Sequence, residues 1–307
     1  MKENRISDRQ LKAWRFGAVA APIAHLASGC SWPVALAAGV AGGLIGWAGS
    51  GKRDCAPWLC AIQWLTCIAA AAEGMHWMES FWQSGGSWVM LILLALAAWA
   101  AAKTVTVQAG VLLLWFVGFL LGSVLLSAIP EIRLRNLTFG PEADEWEQGL
   151  RLMGVILLTG MVESPSDEGH KRRSGFPWME LAGHAVLCAV CTQGVLSHPI
   201  ASEAVSPFYE LSRSVRFYGA FQRFESLAVM GMMLGMFLYL SYLCTIGGQA
   251  GKQAGIQKRL ANILLTVLGV TIFYIISTGE DYGILTVGIV IAGYLLPWTA
   301  GKRKGEK

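Results

Sequence analysis

The chain has 307 residues, of which 54% are hydrophobic and only 14% are charged, and its mean hydropathy is +0.50. Soluble domains carry about 25% charged residues, so this composition excludes an ordinary soluble domain and predicts a polytopic membrane protein. The formal net charge of +4 is concentrated in a few loops and tails, which indicates membrane topology rather than nucleic-acid binding.

Apolar runs predict about ten membrane-spanning helices, numbered here as segments 1 to 10. A single transmembrane domain (14–300) lies between a basic tail at 1–13 and a second basic tail at 301–307. Its halves, about 14–129 and 149–300, each hold five segments. The segments cover 14–28, 33–47, 56–78, 88–102, a run that ends at 129, 149–162, 176–197, 226–244, 260–277 and a run that ends near 298.

Lys and Arg are concentrated in alternate predicted loops. The clusters at 51–54, 170–173 and 302–304 are basic, whereas the loops at 142–147 and 279–281 are acidic. Because cytoplasmic loops of membrane proteins carry an excess of Lys and Arg, the basic clusters are expected inside and the acidic loops outside. This orientation places both termini in the cytoplasm.

Segments 1 and 6 are short, with Gly17 and Pro22 inside the first and Gly154 and Gly160 inside the second. They occupy equivalent positions in the two halves. Interrupted helices at matching positions predict a five-plus-five inverted-repeat transporter fold, with broken helices 1 and 6 and a ligand at the midplane. The alternative is that these residues only allow close helix packing.

The predicted ligand site lies where the two interrupted helices break. Freed backbone N–H groups at a half-helix N-terminus attract a carboxylate, and freed carbonyl groups suit an ammonium, so an α-amino acid supplies both charges. A larger side chain at Ala21 or Gly160 is therefore expected to remove the ligand response and to leave the protein level intact. The candidate ligand-binding residues are Gly17, Ala18, Ala21, Pro22, Gly154, Thr159, Gly160 and Tyr239.

Few ionisable residues lie within the predicted segments. His25, Glu73, His76 and His184 are functional candidates, because an ionisable side chain in a membrane is costly. As alternatives, the first three reach the outer membrane interface, and His184 forms an i,i+4 pair with Glu180 inside the helix bundle.

No pattern of an enzyme active site is present in the sequence. HExxH, GxSxG and P-loop motifs are absent, which argues against an intramembrane enzyme. Cys188 and Cys191 form a CxxC within an apolar run, and no second Cys pair with zinc-ligand spacing accompanies them. We therefore predict buried structural thiols, with no catalytic residue, metal or cofactor.

Three stretches in chain order carry a family resemblance. They are Ile6-Ser-Asp-Arg-Gln-Leu11, Pro130-Glu-Ile-Arg-Leu-Arg-Asn-Leu137, and Pro207-Phe-Tyr-Glu-Leu followed by Phe221-Gln-Arg-Phe-Glu225 before a long apolar helix. Together they resemble the B-subunit family of spore-germinant receptors. That family belongs to the amino acid–polyamine–organocation transporter superfamily, which implies an all-α fold like that of the leucine transporter (LeuT-like).

The resemblance implies a nutrient-sensing membrane subunit that triggers spore germination. It places the protein in the inner membrane of a bacterial spore, with germinant-receptor A and C subunits as partners and a small nutrient, expected to be an amino acid, as ligand. Two alternatives stay open. One is an amino-acid permease of the same fold, coupled to H⁺ or Na⁺. The other, which the short loops and helices favour, is a structural receptor subunit without a working pocket.

Overall fold

The computed structural model describes residues 8–49, 53–54, 56–81, 92–94, 96–97, 106–137, 145–160, 176–215, 224–278, 288–289, 291, 293–296, 299 and 302–303. Several predicted features lie outside these described residues. They are most of segments 4 and 10, the end of segment 6, the tail residues 1–7 and 304–307, and most of the acidic and basic loops at 138–144, 161–175 and 279–287.

The described part of the chain is almost entirely helical, which confirms the predicted all-α fold class. Two short 3₁₀ turns follow α4, at Ile129–Glu131 and Leu134–Asn136. A two-residue strand pair is also present, with β1 (Arg53–Asp54) antiparallel to β2 (Lys302–Arg303). The helices are α1 (Asp8–Ser28), α2 (Trp32–Gly49), α3 (Pro57–Phe81), α4 (Thr106–Ala128), α5 (Glu145–Leu158), α6 (Trp178–Leu196), α7 (His198–Glu203), α8 (Pro207–Ser214), α9 (Phe224–Gln253) and α10 (Lys258–Thr278).

Within the described residues, four helical stretches are long and apolar enough to cross a membrane: Pro57–Trp77, Val111–Glu131, Trp178–Leu196 and Glu225–Gln253. The apolar helix at Trp32–Ala48 is slightly shorter. Along α4, large side chains such as Trp115 (76% exposed) and Phe119 (70%) face outward. Exposed apolar surface of this kind is typical of contact with lipid or another protein. These helices are consistent with the predicted membrane protein.

The helices pack in two groups. α1, α2, α5 and α6 contact one another in the pairs α1–α5, α1–α6, α2–α5 and α2–α6, whereas α3, α9 and α10 form a second group with all three pairs in contact. α1 also packs against α4 and α9, and α4 packs against α9. α1 is therefore surrounded by α5 and α6 of its own group and by α4 and α9 from outside that group.

The structure corrects the predicted break in segment 1. α1 continues as one helix from Asp8 through Pro22 to Ser28, so it also begins earlier than predicted and includes part of the predicted tail. Pro22 lacks the N–H that the carbonyl of Ala18 would normally accept, which weakens a helix locally. The surrounding helices bury this turn completely, since Ala18 and Ala21 are both 0% exposed. Packing on all sides keeps this turn helical although one backbone hydrogen bond is missing.

The second predicted interruption is partly present, and one predicted loop is helical. α5 ends at Leu158, and Thr159 and Gly160 form a turn directly after it. α5 is only 14 residues long, less than the roughly 20 residues of a complete span. The residues after His198, predicted as a long outer segment, form the short helices α7 and α8.

Candidate ligand-binding site

A polar cavity of about 400 Å³ lies between α1, α3 and α5, and the connection from α7 to α8 closes one side of it. This size lies within the range of small-molecule sites, about 300–1,000 Å³. Its lining combines a guanidinium, two imidazoles and an amide with apolar side chains. The lining residues are His25, Leu26, Gly29, His76, Trp77, Gln148, Arg151, Ala204, Val205 and Pro207.

Arg151 is the central charge of the polar cavity. It lies on α5 and its side chain is 17% exposed. One turn earlier on the same helix, Glu147 accepts a hydrogen bond from Arg151 Nη2. On the neighbouring helix α3, Oε1 of Glu73 lies 3.9 Å from Arg151 Nε. The Arg151 guanidinium thus lies beside two carboxylates, those of Glu147 and Glu73, and also lines the cavity.

A second, much smaller cavity of about 10 Å³ adjoins the first, and Arg151 lines both. Glu73, Gly154 and Tyr239 also line it. Tyr239 lies flat against α3 because Gly74 has no side chain, and a Cβ there would come within 2.9 Å of the Tyr239 ring. The structure thus brings together two of the predicted site residues, Gly154 and Tyr239.

Trp77, which lines the polar cavity, packs against two other ring side chains. The rings of Trp77 and Tyr239 stack with centroids 6.3 Å apart, and the His25 ring lies 6.1 Å from the Trp77 ring. His76 is exposed, whereas Glu73 on the same helix is 8% exposed. The candidates His25, Glu73 and His76 therefore lie around one site.

The predicted site residues of α1 take part in helix packing. Gly17 faces Leu114 of α4, and a side chain at Gly17 would overlap with it. Ala21 meets Gly235 of α9 in the same way. Gly17, Ala18, Ala21 and Pro22 are all buried, and they line neither of the two cavities. In this structure the four residues thus serve helix packing, as the alternative explanation expects.

Thr159 and Gly160 lie at the end of α5, away from the polar cavity. The Thr159 hydroxyl donates to the carbonyl of Ile156 (2.7 Å), and its own carbonyl accepts a hydrogen bond from Tyr242 Oη (3.3 Å). Gly160 lies against the Tyr294 hydroxyl, which donates to the carbonyl of Gly46 (3.1 Å). The helix end is thus satisfied within the protein, and the Thr159 hydroxyl is already engaged.

His184 has a structural partner other than the one predicted. Its Nε2 donates to the carbonyl of Ala20 on α1 (3.0 Å), and its ring packs edge-on against Phe16. Glu180 instead forms an ion pair with Lys12. The proposed Glu180–His184 pair is therefore wrong, and both residues attach α6 to α1.

A second polar cluster lies at the turn between α1 and α2. Oε2 of Glu145 accepts hydrogen bonds from the N–H (3.2 Å) and the hydroxyl of Ser31, while Oε1 contacts Nε2 of His198. Burial and, secondarily, the Glu145 carboxylate raise the pKa of the neighbouring Cys30 thiol. The protonated thiol donates to the carbonyl of Leu26 (3.3 Å). This cluster joins the α1–α2 turn to the first residues of α5 and α7.

Sequence reasoning overlooked Arg151. It is a single Arg within a short, mostly apolar helix, and Glu147 four residues earlier gives it an i,i+4 partner. An isolated charge in an apolar segment is the signal that would have found it. In this cavity Arg151 adds a charged side chain to the backbone groups that the sequence predicted for holding the ligand's charges.

The arrangement is suited to binding a small solute that carries a carboxylate. An Arg guanidinium forms two parallel hydrogen bonds with a carboxylate, which fixes the orientation of the carboxylate.

Among the described residues, no group of three His, Cys, Asp or Glu side chains is placed to hold a metal ion. Cys188 and Cys191 are buried free thiols, as predicted. No protein-family model matches the chain, and a search of curated proteins finds no match.

The packing of Ala21 leads to a prediction that differs from the one based on sequence. Ala21→Leu is expected to lower the free energy of unfolding by about 1–3 kcal/mol, because the larger side chain has no space against Gly235. Protein abundance in the membrane and the thermal unfolding midpoint should both fall. Ala37→Leu, on the exposed face of α2, is the matched control. A variant with normal abundance but no ligand response would restore the original site prediction.

Proposed function

We propose that the chain is a transporter-like membrane protein that binds a small nutrient, expected to be an amino acid, as the sensing subunit of a spore-germinant receptor. The polar cavity carries the binding part of this proposal, since Arg151 presents a guanidinium to about 400 Å³ of space. The receptor part rests on the motifs at 6–11, 130–137 and 207–225. In this proposal the protein lies in the spore inner membrane, with both termini cytoplasmic and with A and C subunits as partners.

The packing of the helices supports a five-plus-five inverted repeat. In such a fold, segment n is equivalent to segment n+5. The group α1, α2, α5 and α6 corresponds to segments 1, 2, 6 and 7, so equivalent segments pack in the same group. The group α3, α9 and α10 corresponds to segments 3, 8 and 9, of which 3 and 8 are equivalent.

The fifth segment of each half adds to this pattern. α4, which is segment 5, packs against α9, which is segment 8. The described part of segment 10 lies against α3, which is segment 3: a Cβ at Gly293 would overlap with Thr66, and Thr66 Oγ1 lies 3.5 Å from the carbonyl of Ile289. The two contacts are equivalent under the same shift of five segments, as expected for inverted repeats.

Filling the polar cavity tests the binding site. Ala204→Trp is expected to weaken amino-acid binding by roughly tenfold or more, equal to about 1.4 kcal/mol, because the indole occupies the cavity from the α7–α8 connection. The measurement is binding of the twenty radiolabelled L-amino acids to purified protein. Ser202→Trp, at an exposed position of α7, is the control. If the wild-type protein binds none of them, the proposed function is wrong, and if Ala204→Trp binds normally, the site lies elsewhere.

One observation favours the permease alternative. The Glu73–Arg151 contact places a buried titratable pair beside the cavity, and such pairs occur on proton pathways of transporters. A permease should move an amino acid across a liposome membrane in response to a pH or sodium gradient without any partner subunit. A receptor subunit should bind the amino acid but show no gradient-dependent uptake.

A further inference from the structure

Arg151 lines the polar cavity and forms ion pairs with two carboxylates, which differ in how far they are exposed. The Glu147 side chain is 30% exposed, whereas the Glu73 side chain is 10% exposed and lies beside the 10 Å³ cavity. A solute in the polar cavity can therefore reach Arg151, which lines it. It cannot reach Glu73, because the space beside Glu73 is smaller than any amino acid.

The surroundings of Glu73 make it dependent on Arg151. The charged or titratable groups around it are Arg151 and Glu147 on α5 and Tyr239 on α9. His76 lies one turn further along α3, and His25 on α1 lies near both His76 and Arg151. Of these groups, Arg151 alone carries a permanent positive charge. A carboxylate that loses its partner in a buried site takes up a proton rather than remain charged.

We infer that binding of a carboxylate-bearing solute to Arg151 is coupled to the uptake of one proton by Glu73. The 3.9 Å contact between Arg151 and Glu73 is long and is made by the buried Nε, so a solute carboxylate that binds the Nη atoms instead neutralises the guanidinium charge on which Glu73 depends. The ammonium of an amino acid in the polar cavity cannot replace Arg151 as the partner of Glu73, because Glu73 lies beside the smaller cavity. The proton comes from the bulk solution, where the buffer supplies it, and converts the Glu73 carboxylate to the neutral acid.

This inference rests on the proposed function, since it needs a ligand in the polar cavity, and it predicts a definite pH dependence. The complex holds one more proton than the free protein, so binding should tighten as the pH falls. The slope is at most about tenfold in Kd per pH unit, the value for one linked proton. At a pH high enough for Glu73 to be ionised in the complex as well as in the free protein, binding takes up no proton, and this contribution to the pH dependence of Kd should disappear.

The first test needs no ligand. Removing the guanidinium in Arg151→Gln should leave Glu73 protonated at pH 7, and infrared spectroscopy should show the C=O stretch of a protonated carboxyl group. The band should be absent from Arg151→Gln/Glu73→Gln. If Arg151→Gln has no such band, or if the band persists in the double variant, the inference is wrong.

The second test uses only the wild-type protein and the isosteric variant Glu73→Gln, so it does not depend on the folding of an Arg151 variant. L-alanine is added in weak buffer with a pH-sensitive dye. The expected result is net proton uptake, of at most one proton per bound L-alanine, in the wild type and none in Glu73→Gln, while alaninamide, which lacks the carboxylate, gives no uptake. L-alanine that binds without proton uptake overturns the inference and leaves the proposed function standing. If neither L-alanine nor any other of the radiolabelled amino acids binds, the proposed function is wrong, whereas the infrared band still decides the behaviour of Glu73.

Discussion

Arg151→Leu is expected to lower the free energy of unfolding by about 3–5 kcal/mol, because it leaves the buried Glu73 and the nearby Glu147 without their cation. Without Arg151 the buried Glu73 carboxyl group takes up a proton at pH 7, and this costs free energy because the same group is ionised in the unfolded chain at that pH. The thermal unfolding midpoint in detergent should therefore fall by roughly 10 °C. Amino-acid binding should be lost as well, because the polar cavity no longer presents a guanidinium.

A second substitution separates the electrostatic cause from simple loss of packing. Glu73→Leu in the Arg151→Leu background should recover a large part of the lost stability, because no buried carboxyl group without a partner then remains at that position. It should not recover binding. Arg135→Leu, at an exposed position after α4, is the matched control and should leave both properties unchanged. Equal midpoints for Arg151→Leu and Arg135→Leu would show that the cluster around Arg151 contributes little to stability.

Most helices could be predicted from the sequence, because a long uncharged run in a membrane has to satisfy its backbone groups internally. Segments 2, 3, 5, 7, 8 and 9 all correspond to helices, namely α2, α3, α4, α6, α9 and α10. Whether the first helix breaks or continues at Pro22 could not be predicted in the same way. A proline weakens a helix by about 3 kcal/mol, and whether the helix then breaks depends on the packing around it. That packing comes from α4, α6 and α9, which are distant in sequence.

The candidate site, too, could be predicted from the sequence only in part, because it depends on contacts between helices that are distant in the chain. Small residues such as Gly17 and Ala21 indicate either a pocket or a close helix contact, and only the position of Leu114 and Gly235 decides between them. The ionisable residues gave a better signal, since three of the four candidates lie around the polar cavity or the smaller cavity beside it. Helical periodicity tells which residues share a face. It does not tell which face of another helix they meet, so the contact between Glu73 and Arg151 could not be predicted.

Glu145→Leu should be the other strongly destabilising substitution, with an expected loss of about 3–5 kcal/mol in the free energy of unfolding. Glu145 is 5% exposed and begins α5, where a negative charge is favoured by the helix dipole. It accepts hydrogen bonds from the N–H and hydroxyl of Ser31 and contacts buried His198. Leucine would leave all of these groups without a partner.

The backbone at Ser197 adds to this expectation. Ser197 has a φ of 73°, in the region that favours glycine, and it joins α6 to α7 directly before His198. Such a conformation costs on the order of 1–3 kcal/mol and persists only when surrounding contacts hold it. The contact between His198 and Glu145 is one of these, so its loss should also loosen the α6–α7 junction, seen as faster amide hydrogen exchange at 196–200. Glu203→Leu, on the exposed end of α7, is the control. If Glu145→Leu unfolds at the same temperature as Glu203→Leu, with unchanged exchange at the junction, Glu145 does not hold these helix ends together.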